Sequence, residues 1–235
     1  MLPTPRRSSP SGRRSSVLSG SISVSHGLLP AMNREFVRRH LLGFTLLELM
    51  VAITIGALLL GIGIPSFRSY LRSAELTSTA NDLLGSFYLA RGEAVKRRRN
   101  VVVCFSAVPE ATTPACSAGV RRAGWVVFQD TNANRTVDAG EAILQRHAVP
   151  GTEVGFGSIP AGNAGYFAYA PTGFGVTLAA GAPVAGIAIC DSRGNASANG
   201  ADLSRARGIV VSAAGRPRVT RSVAEISGAS IGGCP

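Results

Sequence analysis

The chain has 235 residues, 46% of them hydrophobic, and a formal net charge of +11. That length holds one ordinary domain and an appendage. Seven of the 24 basic residues precede Gly43 against one acid, Glu35, so the rest carries only +5; whole-chain charge is therefore no argument for nucleic acid, which must rest on local clusters.

Residues 1–31 are rich in Ser, Pro, Gly and Arg without apolar periodicity, a composition that predicts disorder. Met32 stands as the candidate start, with 1–31 an over-extended reading frame; a genuine long leader is the alternative. Met32–Gly43 is a short basic segment, carrying Arg34, Arg38 and Arg39, that ends in glycine. From Leu46 to Ile64 the only charge is Glu48. Such a run crosses the ~30 Å hydrocarbon core as a helix. The arginines before it place its N-terminal side in the cytoplasm, which predicts a single-pass inner membrane protein with a periplasmic head. A secretory signal is cut after its apolar core, whereas here the glycine precedes the core.

Pro65 marks a kink. Beyond it Leu76, Ala80, Leu83, Leu84, Phe87, Ala90 and Ala94 fall on one helical stripe, with Glu75, Asp82, Arg91 and Glu93 on the wet side. The expected organisation is a leader over 1–43, an anchor over 44–66, an amphipathic helix over 67–99 and a β-sandwich-like head over 100–235. Strands are predicted at Val101–Phe105, Trp125–Gln129, Ala142–His147, Glu153–Phe156, Tyr166–Ala168, Val184–Cys190, Gly208–Val211 and Pro217–Val219, between Gly- and Pro-rich turns. The fold class is α+β, a long N-terminal helix followed by an antiparallel β head.

Four cysteines, Cys104, Cys116, Cys190 and Cys234, all fall in the head, and none forms a C-x-x-C pair. Outside the cytoplasm they read as disulfides. Cys104–Cys116 and Cys190–Cys234 is the expected pairing among three connectivities, with buried free thiols the alternative. The stretch Asp130–Glu141 has calcium-loop spacing, but Arg135 replaces the turn glycine and strands flank it, so a polar hairpin loop is expected. Gly228-Ala229-Ser230-Ile231-Gly232 matches G-x-S-x-G without the helix that a nucleophile elbow requires. Of the three histidines, His26 and His40 precede Gly43, leaving His147 as the one imidazole base beyond it. With no phosphate loop or dinucleotide fingerprint, the reading is not an enzyme, with no cofactor and no metal.

Gly43-Phe44-Thr45-Leu46-Leu47-Glu48-Leu49 resembles the class III signal of type IV pilins and type II secretion pseudopilins. The resemblance implies cleavage by a prepilin peptidase between Gly43 and Phe44 and methylation of Phe44. It also implies an assembly role for Glu48 against the N-terminal amine of a neighbouring subunit. Independently, a carboxylate in an apolar span is costly and points to a function; pairing would offset its desolvation, and snorkelling near the helix end is the plainer reading.

Three stretches, Ala90–Arg97, Val101–Cys104 and Gly124–Asp130, narrow the similarity to the GspH/FimT branch of minor pilins. Gly215-Arg216-Pro217-Arg218 followed by Arg221 resembles the G-R-x-R element associated with DNA binding in FimT. On that resemblance Arg216, Arg218 and Arg221 would contact phosphates of double-stranded DNA, as in natural transformation. Alternate arginines on a strand share a face, and such contacts would be sequence-independent and salt-sensitive. A solvated basic edge that blocks strand pairing is the plainer reading. Lys96-Arg97-Arg98-Arg99 could add to that surface, although a helix C-terminus favours cations anyway. The implied partners are the prepilin peptidase, other major and minor pilins or pseudopilins, the inner membrane before assembly, and DNA. A GspH-type pseudopilin of type II secretion, binding no DNA, is the alternative.

Overall fold

The computed structural model describes residues 43–117, 124–149, 153–157, 159–160, 162–178, 181–198, 200–228 and 231–234. The leader up to residue 42, with Met32, Glu35, Arg34, Arg38, Arg39, His26 and His40, lies outside the described residues, as do Ala229 and Ser230 of the G-x-S-x-G match.

Helix α1 runs from Leu46 to Arg97, 52 residues, straight through Pro65 in its hydrogen-bonded pattern. Proline has no N–H to offer Gly61, and the predicted anchor and amphipathic segments are nonetheless one helix. The large apolar side chains from Leu46 to Phe67 are exposed, and this portion is long and apolar enough to cross a membrane. From Leu76 onward the character changes. Leu76, Thr79, Ala80, Leu83, Ser86, Phe87, Ala90 and Ala94 are buried, at the three-and-four spacing that lines one face of a helix. The helix stops where Arg98 turns left-handed, at φ 55, and Arg99 N–H reaches back to the Ala94 carbonyl at 3.3 Å. That six-to-one bond is a helix-ending motif usually built on glycine.

The head follows as two antiparallel sheets. The first holds β1 (Asn100–Ser106), β2 (Gly124–Asp130), β3 (Ile143–Ala148), β5 (Tyr166–Tyr169) and β6 (Gly175–Val176), in the order β3-β2-β1-β5-β6. The second holds β4 (Gly155–Phe156), β7 (Gly186–Cys190), β8 (Leu203–Val211) and β9 (Pro217–Ser222), in the order β4-β7-β8-β9. A short helix α2, Val223–Ser227, leaves β9 with Ser222 as its N-cap. The eight expected strands are present with shifted ends, β8 starting at Leu203 and β7 at Gly186. The two-residue β6 and the five-residue α2 are additional, too short to leave a periodic signature.

Strand alternation sorts the side chains into three cores. Val101, Val103, Phe105, Trp125, Val127, Phe167 and Tyr169 of the first sheet meet Ile187, Ile189, Ile209 and Val211 of the second, together with the buried stripe of α1. The opposite face of the first sheet, with Val102, Cys104, Val126, Phe128, Tyr166 and Ala168, is covered by Val137 and Leu178. The opposite face of the second, with Ala188, Cys190 and Ala206, is covered by Ile226 and Ile231. Within the central core Trp125 Nε1–H donates to Ser86 Oγ at 2.8 Å, and Ser86 lies 2.9 Å from Gln145 Oε1. The indole ring stacks on His147 with centroids 3.9 Å apart.

Candidate functional site

The start of α1 explains part of what the sequence singled out there. Thr45 precedes the helix, and its Oγ1 accepts from Glu48 N–H at 3.2 Å. Threonine followed three residues later by glutamate is the sequence pairing of a capping box, of which the threonine half is made here, through the Glu48 backbone. Capping was missed in the sequence although T-x-x-E was in view. Gly43, Phe44 and Glu48 are all exposed.

Cys104 is joined to Cys116 and Cys190 to Cys234, and no described cysteine is free. Each bridge closes one outer face: Cys104 and Cys116 belong to the cluster outside the first sheet, Cys190 and Cys234 to that outside the second.

The C-terminal arginines do not form one set. In the β8–β9 pairing Gly208 lies opposite Thr220, Val210 opposite Arg218 and Val211 opposite Pro217. Gly208, Thr220, Ile226 and Ile231 lie close together on the α2 side, and Arg218 lies on that side too. Arg218 there forms a two-pronged ion pair with Glu225, Nη1 to Oε2 at 3.0 Å and Nη2 to Oε1 at 2.6 Å. The bond from Arg218 holds the Glu225 carboxyl down to about 2. Arg221 is one residue out of step with Arg218 and falls on the α1 side, its Nη2 3.4 Å from the Ser204 carbonyl. Buried Arg207 lies on this side as well, donating to Thr77 Oγ1 at 3.1 Å. Its guanidinium is pushed below the usual value by burial first, then by Arg221 and Arg193.

Arg216 differs from both. It sits at the end of the Ser212–Arg216 turn, where Gly215 has φ 70 and a side chain would collide with the Gly173 carbonyl and the Tyr169 ring. Its backbone is held by Ser212, but its exposed guanidinium meets no acceptor among the described residues. Half of the run Lys96–Arg99 is engaged locally: Lys96 lies 3.3 Å from Glu93 Oε1 and Arg97 pairs with Glu93 too, while Arg98 and Arg99 end the helix through their backbone and keep exposed side chains.

The loop after β2 is organised around its own first residue. Buried Asp130 accepts from the backbone N–H groups of Ala133 at 2.6 Å, Asn134 at 3.3 Å and Arg135 at 2.9 Å. Glu141 accepts from Thr131 N–H and Asp138 N–H, and Asp138 from the side-chain amides of Asn132 and Asn134. The carboxylates thus serve as caps for a hairpin loop between β2 and β3. Among the described residues no three metal-binding side chains of the His, Cys, Asp and Glu kind converge.

A family model described as type II transport protein GspH matches residues 79–215, and one described as the prokaryotic N-terminal methylation motif matches residues 38–64. Over 45 residues the chain is 56% identical to prepilin peptidase-dependent protein D of Escherichia coli (strain K12), a stretch covering 19% of this chain and 28% of that protein. The chain therefore matches under a third of the length of that curated relative. Two crystal forms of the type IV minor pilin FimU of Pseudomonas aeruginosa align at 20% identity with TM-scores of 0.40 and 0.36, the first covering 64% of this chain and 96% of FimU.

Proposed function

The chain belongs to the GspH family, and from that premise we propose that it is a minor pilin of a type IV pilus, cut after Gly43 and methylated on Phe44. The observation that carries this reading is the continuity of α1. One portion, immediately after the Gly43-Phe44 pair, presents apolar side chains with Glu48 as its single charge, and the next is built into a disulfide-closed head. A helix of that kind holds the subunit in the inner membrane before assembly and packs against other pilins after it. Glu48 then receives the N-terminal amine of a neighbour, a partner that a carboxylate in an apolar run requires. Intact-mass measurement on membrane-extracted protein tests the cut: the mass of a chain starting at methylated Phe44 is expected, and retention of Met32–Gly43 overturns it.

The head of this subunit binds double-stranded DNA through exposed arginine, with Arg216 the principal contact. Arg216 is the member of the arginine set whose guanidinium is unengaged, so it can meet a phosphate without first leaving a partner. Arg218 must be released from Glu225 before it contributes, and Arg221 lies on the face of β9 opposite Arg218, where it reaches the Ser204 carbonyl. The full chain in zwitterionic nanodiscs should bind duplex DNA without sequence preference. Arg216→Gln should weaken binding and shrink the log–log salt slope by about 0.9, one phosphate contact. Glu225→Gln, which frees Arg218, should tighten it. Absence of binding at low salt by folded protein favours the second reading, a GspH-type pseudopilin of type II secretion without DNA. The specific observation on that side is the Arg218–Glu225 pair, which neutralises an arginine the DNA reading would use.

A further inference from the structure

Near Arg216 two aromatic rings are exposed, one from α1 and one from the head, well beyond the apolar stretch that exposes Phe44, Phe67 and Tyr70. Phe87, Phe105, Phe128, Phe156, Tyr166 and Tyr169 are fully buried, yet Tyr88 is 54% exposed and Phe174 is 54% exposed. Three separate segments bring them together. The turn between β5 and β6 carries Phe174, and its Gly173 lies so close to α1 that an added Cβ would sit 3.2 Å from Val95 and 3.4 Å from Arg91 Nε. The β8–β9 turn carries Arg216, and its Gly215 would meet the Gly173 carbonyl at 2.9 Å in the same way. Tyr169 O–H donates to the Gly215 carbonyl at 3.0 Å and fixes that turn from beneath, and Tyr88 O–H donates to the Pro217 carbonyl at 3.4 Å. The result is one surface on which Tyr88, Val95 and Phe174 stand beside Arg91 and Arg216. Neither arginine has a carboxylate partner among the described residues.

We propose that this surface is a stacking platform for single-stranded DNA, with Phe174 and Tyr88 receiving the faces of bases while Arg216 and Arg91 hold the flanking phosphates. The inference rests on the DNA reading given above and extends it to a strand whose bases are accessible. Charge selects the occupant. An apolar partner surface would leave two guanidiniums unsatisfied, and an acidic one would leave the rings without a flat partner. A single strand offers anionic phosphates and π-faces in alternation, the combination that sequence-tolerant single-strand binders use. A duplex satisfies the arginines alone, because its bases are stacked on one another.

The full chain in zwitterionic nanodiscs is titrated with labelled oligothymidylate, with an abasic strand of the same length, and with a duplex. The bases should make oligothymidylate bind more tightly than the abasic strand by about five- to a hundredfold, the range of one aromatic–base stack. Phe174→Ala should carry that ratio toward one while abasic binding stays unchanged, and Arg216→Gln should weaken both strands alike. Tyr88→Leu and Phe174→Leu, which keep apolar area but lose the ring, repeat the comparison if Phe174→Ala disturbs the fold, as judged from the near-ultraviolet signal of Trp125. Equal affinity for the thymidylate and abasic strands overturns the platform and leaves duplex binding standing. A preference that survives loss of both rings also overturns it and leaves the patch to a neighbouring subunit. Failure to bind any of the three probes takes down the underlying DNA reading and the platform with it.

Discussion

The two sheets of the head share a core with α1, but their outer faces are closed by different means. Outside the first sheet the Cys104–Cys116 bridge spans 12 residues, and Val137 and Ala133 of the cover come from a loop that Asp130 organises through three backbone N–H groups. Outside the second, Cys190–Cys234 spans 44 residues and draws α2 and Ile231 onto the strands. One face relies on local polar capping with a small staple. The other relies on a long covalent reach, with one exposed ion pair, Arg218–Glu225, beside it. A domain of this size can thus bury both sides of two sheets without a third layer.

The largest expected difference lies in the bridges themselves. On chain-entropy grounds, removing Cys190–Cys234 by paired serine substitution should cost ~4 kcal/mol and removing Cys104–Cys116 ~3 kcal/mol. Thermal unfolding of the full chain followed by its single tryptophan reads both, and the reverse order would break the comparison. Asp130→Ala should come next, at ~2 kcal/mol, since three backbone donors lose a charged acceptor. Hydrogen exchange should then rise at Ala133–Arg135 and stay unchanged around Ile226. The ion pair should matter least. Glu225 titrates at about 2 in the fold against 4.5 as its ordinary value. Its stabilisation is therefore complete above the ordinary carboxylate range and is lost as pH falls from there toward about 2. Being exposed, the pair is screened by salt. Comparing acid unfolding of the wild type and Glu225→Gln at low and high salt should show a small difference that high salt removes.

Much of the fold was readable because its signals are periodic. The stripe from Leu76 to Ala94 and the β-branched runs Val101–Val103 and Trp125–Phe128 each keep one spacing long enough to identify an element. Extents were less visible where tertiary pairing extends a strand beyond its apolar stretch, as in β8, whose polar start Leu203–Arg207 holds Ser204 and Arg207. The arginines illustrate a different limit. Alternation sends Arg218 and Arg221 to opposite faces of β9, and Arg216 precedes that strand in its turn, so grouping the three by proximity overlooked both facts. Nothing in the sequence shows that Arg218 is occupied, because Glu225 approaches it only after Ser222 turns the chain into α2. The nearness of Phe174 and Tyr88 to Arg216 is likewise tertiary, made by two glycine turns that touch.

Thr45 caps α1 two residues after Gly43, so a cut at Gly43 leaves the helix start intact. It would, however, create a primary ammonium next to the positive end of the helix dipole, where a cation is disfavoured by roughly 0.3–1 kcal/mol. The Glu48 carboxylate, one turn in, is the nearest counter-charge the same chain can offer. Processing would therefore convert a quiet helix end into a charged one with two competing uses for a single acid: neutralising its own terminus, or that of the next subunit. A lone subunit would take the first and a polymer the second, so the free energy of polymerisation would be measured against an internal salt bridge rather than against water.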